Sequence, residues 1–278
     1  MSSASSIGIE GVAASMILIV AAIVVSMRKH LGLERSIAWA SLRALAQMLA
    51  IGGALGLVLA DDTPQVWSWL WVAAMVVIGS ATIASRAKEI HGLFSLSMVA
   101  LGSAVGVSLV VVFGLGIFPV EPRTIVPTAG MLLGNTIAAT VLAARRTLAE
   151  ISEHRDQIEV RLSLGQTGPM AVRPHVREAL RTAIGPQIET TKIVGLIALP
   201  GTMTGLLLAG VDPVDAVLVQ TAVMFLILGS VAITAVVIGG GVARRLSTSD
   251  HRLELPTPVK RALPSPSRRT ARSRLHQG

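Results

Sequence analysis

Residues 93–117 read LFSLSMVALGSAVGVSLVVVFGLGI, an apolar run without a single formal charge. At about 1.5 Å of rise per residue, a helix of this length crosses a hydrocarbon core of roughly 30 Å. The rest of the chain matches it. Over 278 residues, 52% are hydrophobic and 14% charged, with a mean hydropathy of +0.68, which excludes an ordinary soluble domain. Working outward, apolar stretches bounded by charges and turn residues predict spans at 7–27, 37–60, 67–84, 93–117, 123–143, 188–210 and 214–243. The expected fold class is all-α, a polytopic bundle of about seven transmembrane helices.

Charge placement sets the expected orientation. The first span carries Glu10 and no base at its N-terminal flank, and Arg28, Lys29 and His30 follow it, the reverse of a cleavable signal peptide. The N-terminus is therefore expected outside and the C-terminus in the cytoplasm. The cytoplasmic segments become 28–36, 85–92, 144–187 and 244–278, and they hold nearly all the bases. Asp61, Asp62, Glu121 and Asp212 fall in the external connections, with Arg123 the only base there, so the positive-inside rule is met throughout. Trp67, Trp69 and Trp71 read as an interfacial anchor or as lipid-facing bulk. The net charge of +8 follows from topology, and without aromatic stacking surfaces it does not call for a nucleic-acid partner. Zero cysteines exclude disulfides, thiolate zinc sites and iron–sulfur clusters.

Residues 1–246 are expected to form the membrane domain, and 247–278 a basic, Pro- and Ser-rich cytoplasmic tail without a core of its own, solvated or in contact with anionic lipid. Glycines four apart (52/56, 102/106, 130/134, 201/205) predict close helix packing.

Polar residues inside spans are few and expensive to hold there. Arg43, with Gln47 one turn on, either lines an aqueous path or snorkels to the cytoplasmic surface. Thr124, Thr128, Met131 and Asn135 share one face of the fifth span, which suits a pathway wall or an interhelical hydrogen bond from Asn135. Lys192 lies three residues after Glu189, so an intrahelical pair competes with a solute contact. Pro200-Gly201 predicts a hinge in the sixth span, with Thr202 and Thr204 placed to satisfy freed carbonyls. Gln220 is a weaker member of the same pathway set. All six histidines (30, 91, 154, 175, 251 and 276) fall in cytoplasmic segments and no span carries a central carboxylate, so no metal cage is expected within the membrane. Met75, Met98, Met131, Met203 and Met224 offer thioethers, or packing.

The longest cytoplasmic connection, 147–186, predicts a charged helix over 147–164 that ends at Gly165, then a turn through Gly168-Pro169, with a second helix over 172–184 leading through Gly185-Pro186 into the sixth span. Two short helices around such a turn make a knob suited to docking on a partner, or a plain surface loop.

Residues 156–165, DQIEVRLSLG, resemble the coupling segment of ABC transporter permeases, with Glu159 and Gly165 at its Glu and Gly positions. Together with 127–135 (PTAGMLLGN) and 192–205 (KIVGLIALPGTMTG), and with Leu42, Arg43 and Gln47, the segment is similar to the FetB-like permease family over roughly residues 35–245. The resemblance implies a homodimeric permease in the bacterial inner membrane, paired with a separate ATP-binding subunit that contacts Glu159, Arg161, Leu164 and Gly165. It also implies export of iron or another metal species, since family members are associated with iron export in bacteria and aluminium tolerance in plants. ATP and Mg would be bound by that partner; this chain has no Gly-Lys dipeptide and hence no phosphate loop, and it is not expected to be an enzyme. The alternatives are an ion-driven secondary transporter, which would want an intramembrane Asp, Glu or His, and a membrane scaffold.

Overall fold

A computed structural model describes residues 9–58, 64–197, 199–246 and 253. The expectations resting on Asp61 and Asp62, on the flank before the first span and on the 247–278 tail lie outside the described residues. What is described is helical: α1 (Ile9–Arg28), α2 (Glu34–Val58), α3 (Gln65–Arg86), α4 (Leu93–Gly114), α5 (Pro122–Glu153), α6 (Arg155–Ser163), α7 (Gly168–Ile193), α8 (Gly201–Leu208) and α9 (Pro213–Arg245). Of these, α3, α4, α5 and α9 are each long and apolar enough to cross a membrane, and α1 contains a shorter apolar stretch, Ala14–Arg28. The protein is a multi-pass membrane protein.

Two compact units are formed. The first comprises Met1–Met75, Leu109–Met131 and Ile193–Leu226, the second Val76–Ser108, Leu132–Lys192 and Ile227–Gly278.

In the first unit α1 packs on α2 across a tight turn. The turn is fixed by a buried serine: Ser26 Oγ donates to Glu34 Oε1 at 2.9 Å and accepts from the Leu33 amide at 3.3 Å. Ile17, Leu18, Trp39, Leu42, Met48 and Leu49 stand exposed along these two helices, as lipid-facing side chains do. Trp69 meets Phe113 edge to face at 6.4 Å, and Gln65 Nε2 donates to the Val120 carbonyl at 2.9 Å, so the start of α3 is bound to the end of α4 and the connection beyond it.

The second unit is held by apolar packing and a few buried polar links. Ile83, Leu101, Leu132, Ile151, Ile158 and Ile238 are fully buried. Between α4 and α9 the hydroxyls of Ser108 and Ser230 lie 2.7 Å apart and buried, the polar contact that apolar surroundings favour once both groups are paired. Basic residues also act as fasteners. Arg145 on α5 donates to the carbonyl of Arg86, the last residue of α3, and Arg245 at the end of α9 donates to the His91 carbonyl at 2.7 Å and to Ser95 Oγ at 3.2 Å. Cations on terminal or loop carbonyls satisfy acceptors that no helix partner reaches.

The paired-glycine expectation holds only in part. A methyl group on Gly130 would come within 3.0 Å of Met75 Cε, but on Gly102, Gly106, Gly134, Gly201 or Gly205 it would meet nothing within 4 Å. The close approaches fall at unpaired positions instead, because spacing marks a shared face and not what faces it. A methyl on Gly241 would collide with both Leu96 methyls and sit 3.0 Å from Leu96 Cγ, so the whole side chain would have to move. Gly241→Ala is expected to destabilise the protein by about 1–3 kcal/mol, read as a lower apparent melting temperature in detergent, whereas Gly106→Ala leaves it unchanged.

Three boundaries differ from expectation. The fifth helix does not stop at residue 143 but continues to Glu153, so the charged cytoplasmic helix expected from 147 begins as the end of α5 and restarts at α6. The second cytoplasmic helix does not end at residue 184: α7 runs through Pro174 and Pro186 to Ile193. Its buried stripe of Gly168, Ala171, Val172, His175, Ala179 and Ala183 recurs at helical spacing, and that packing offsets the roughly 3 kcal/mol cost of an interior proline. The sixth span is not a continuous helix. α7 ends at Ile193, Gly195 takes a left-handed φ of +83°, and Pro200, with φ −62° and ψ 147°, is the extended residue that caps α8.

Candidate functional site

The α6 knob is built from a residue pattern that sorts cleanly by face. Ile158 is fully buried and anchors the helix, while Val160 and Leu164, four apart, are 58% and 77% exposed. Beside them Arg155 Nε bonds Glu159 Oε1 at 2.6 Å, an exposed i,i+4 pair that supports the helix by a few tenths of a kcal/mol. The end of α6 is the predicted glycine stop. Gly165 has φ +86°, its amide donates to the Leu162 carbonyl at 3.0 Å, and the Gln166 amide donates to the Arg161 carbonyl at 3.1 Å. This 5→2 and 6→1 pair is a Schellman cap, and the positive φ is what requires glycine there. The four expected coupling residues Glu159, Arg161, Leu164 and Gly165 thus stand together on one rigid turn-ended helix. Val160, missed in the sequence, is the apolar neighbour that completes the surface; its i,i+4 spacing from Leu164 was the available signal.

Between them, α7 and α9 line a groove of about 820 Å³. Val172, Val176, Leu180 and Val236 form its apolar part, and Arg173, Arg177, Arg181 and Arg244 line it as well. Such a groove can hold an apolar chain with an anionic end.

The expected pathway residues are placed less uniformly. Thr128 is buried, Met131 half-buried and Asn135 exposed, so the α5 stripe passes from core to surface. At the head of the stripe the Thr124 hydroxyl donates to the Glu121 carbonyl at 2.9 Å at the start of α5. Thr204 Oγ1 donates to the Pro200 carbonyl at 3.3 Å, as the freed-carbonyl argument predicts. Thr202 does not; its hydroxyl points to Met131 Sδ at 3.9 Å, bringing α8 against α5 within the first unit. Pro200 and Gly201 are the last step of a longer break that starts after Ile193. Lys192 pairs with Glu189 at 2.8 Å in an exposed i,i+3 contact, which favours the pairing reading. Arg43 and Gln47 are exposed on α2. Gln220 on α9 is only 3% exposed, and its side-chain oxygen has no hydrogen-bond partner. A buried amide oxygen left so costs about 1–3 kcal/mol, which makes Gln220 the most informative of the set.

One cluster escaped the sequence reading. Glu150, His154 and His175 offer ligand atoms that all lie within 4.8 Å of one another, and the two imidazoles stack with centroids 4.6 Å apart. His154 Nδ1 lies 2.9 Å from the Glu150 carbonyl oxygen and 3.5 Å from its carboxylate. Burial lowers the His175 pKa below its usual value, and the neighbouring His154 and Arg161 lower it further against an opposing pull from Glu150. Glu150 and His154 are one turn apart and so were legible as a pair. His175 reaches them only through the fold of α7.

A family model described as "Uncharacterised protein family (UPF0014)" matches residues 9–247. The chain is 31% identical over 244 residues to the "Probable iron export permease protein FetB" of Escherichia coli (strain K12), covering 88% of this chain and 94% of that protein. It is 31% identical over 223 residues to the "UPF0014 membrane protein STAR2" of Oryza sativa subsp. japonica, covering 80% and 78%. With the "Protein ALUMINUM SENSITIVE 3" of Arabidopsis thaliana it shares 30% over 227 residues, covering 81% and 82%. No solved structure matches the chain significantly.

Proposed function

The chain belongs to the UPF0014 family, and from that premise we propose that it is the permease subunit of an ATP-driven exporter of iron or another metal species. The observation that carries the energy-coupling part is the α6 knob: an anchored, glycine-capped helix that presents Val160 and Leu164 beside the Arg155–Glu159 pair. Metal export rests on the name of the bacterial relative, a probable iron export permease. The chain acts as a homodimer with its N-terminus outside and C-terminus in the cytoplasm, crossing seven times with the sixth crossing made of the end of α7, the break after Ile193 and α8. ATP and Mg are held by a separate subunit. This chain performs no covalent chemistry; it moves solute past Thr128, Met131, Asn135, Thr202, Thr204 and Gln220 as the ATPase pushes on α6, with the segment 194–200 as the place that bends. Arg43 and Gln47 line its approach.

Ion-driven transport has less support. Among the described residues no Asp or Glu is buried, and the one buried histidine, His175, lies outside the predicted spans, whereas proton coupling wants an ionisable group at membrane depth.

The test is reconstitution. Vesicles holding the chain with its co-purified ATP-binding subunit are expected to move an iron species only with ATP, and the metal is expected to stimulate hydrolysis. Full transport by the chain alone would overturn the reading, and the absence of a response to every iron species would remove iron as the solute.

A further inference from the structure

The geometry points to a binding site for a divalent first-row transition cation at Glu150, His154 and His175, joining the cytoplasmic end of α5 to α7. Two imidazoles and a carboxylate are the donor set that selects Zn, Fe(II), Co or Ni over Ca and Mg, which prefer all-oxygen shells. Three features of the cluster favour a ligand over simple packing. First, His175 is only 8% exposed and its Nε2 is buried without any hydrogen-bond partner. A buried ring nitrogen in that state costs about 1–3 kcal/mol, and a cation taking up its lone pair removes the cost.

Second, His154 is already oriented. A ring nitrogen facing a carbonyl oxygen at 2.9 Å must be the N–H donor, so Nδ1 carries the proton and Nε2 keeps its lone pair. That backbone contact is the outer-shell support that metal-bound histidines commonly have. Third, the three donors come from two elements. Glu150 lies on α5, His154 stands in the short step between α5 and α6, and His175 is one of the buried residues of α7. Metal–nitrogen bonds near 2.0–2.1 Å put tetrahedral donors roughly 3.3 Å apart. The ligand atoms now lie within 4.8 Å of one another, and turning of the Glu150 carboxylate, whose side chain is 18% exposed, brings it toward the two rings while His154 keeps its backbone contact. Water completes the coordination from the exposed side. The cation would also bring the two imidazoles and the carboxylate to one charge centre, turning a stack of two histidines into a cross-link.

This site sits at the base of the knob invoked for energy coupling, yet it does not depend on that role, since metal binding is read on the chain alone. The experiment uses the full-length chain in detergent, stripped with chelator and titrated with Co(II) alone. Saturable ligand-field bands at one Co(II) per chain are expected, displaced by Zn(II), with Zn(II) also raising the melting temperature. His175→Ala and Glu150→Gln each weaken Co(II) binding by at least about tenfold and abolish the Zn(II) stabilisation. Because His175 is buried, His154→Ala, at a third exposed, provides the variant whose fold is safe, with far-UV circular dichroism as the check. His91→Ala and the tail variant His251→Ala/His276→Ala leave binding unchanged. Absence of saturable bands in the parent protein, equal affinity in His154→Ala, or bands that vanish only with the tail histidines would each overturn the assignment.

Discussion

Replacing Val160 and Leu164 together with glutamate is expected to abolish co-purification of the ATP-binding subunit and the metal-stimulated ATPase activity, while the melting temperature of the chain itself stays unchanged. The two side chains are largely exposed, four residues apart on one face of α6, and the helix is held from the other face by fully buried Ile158. Their substitution therefore leaves the fold intact. In a complex each apolar side chain of this size contributes about 1.5–3 kcal/mol on full burial. Losing both, and setting two desolvated carboxylates beside Asp156 and Glu159, removes at least about 4 kcal/mol, on the order of a thousandfold in affinity. Size-exclusion chromatography of the mixed subunits and ATPase assays across a metal series read the effect. Undiminished capture by the double variant would move the docking contact away from α6.

Gln220→Leu is expected to stabilise the protein and to disable it. The side chain is 3% exposed with an unpartnered oxygen, so a near-isosteric apolar replacement removes a standing penalty of about 1–3 kcal/mol and raises the melting temperature by a few degrees. An unpaired polar group retained at such a cost is best explained by a partner that arrives during transport. ATP-driven flux in vesicles should fall at least about tenfold. A variant that is both more stable and fully active would show that Gln220 contacts no solute.

Much of this was legible in the sequence where one local rule decides the outcome. The stop at Gly165, the Glu189–Lys192 pair and the limits of α3, α4 and α9 follow from capping, i,i+3 spacing and apolar length. The missed features are those in which distant residues compete with local ones. Gly185-Pro186 reads as the end of a helix, but the buried stripe ending at Ala183 carries α7 through it. Glycine pairs at 102/106 and 201/205 share a face that no described residue approaches, while Gly241, without a partner four residues away, meets Leu96. His154 and His175 meet only because α6 and its glycine stop return the chain against α5. The two threonines of α8 also part company only in the fold: spacing put Thr202 and Thr204 together, and only coordinates separate the one that caps Pro200 from the one that reaches Met131.

The contact of Arg245 with the His91 carbonyl spans 154 positions of chain. A ribosome adding about 5–20 residues per second delivers that guanidinium roughly 8–30 s after the carbonyl it fastens. The α3–α4 connection must therefore wait, already inserted, for the last helix to emerge. Synthesis order thus leaves a late window in which the α3–α4 connection is made but not yet fastened, and stalling before residue 245 would hold the nascent protein in it.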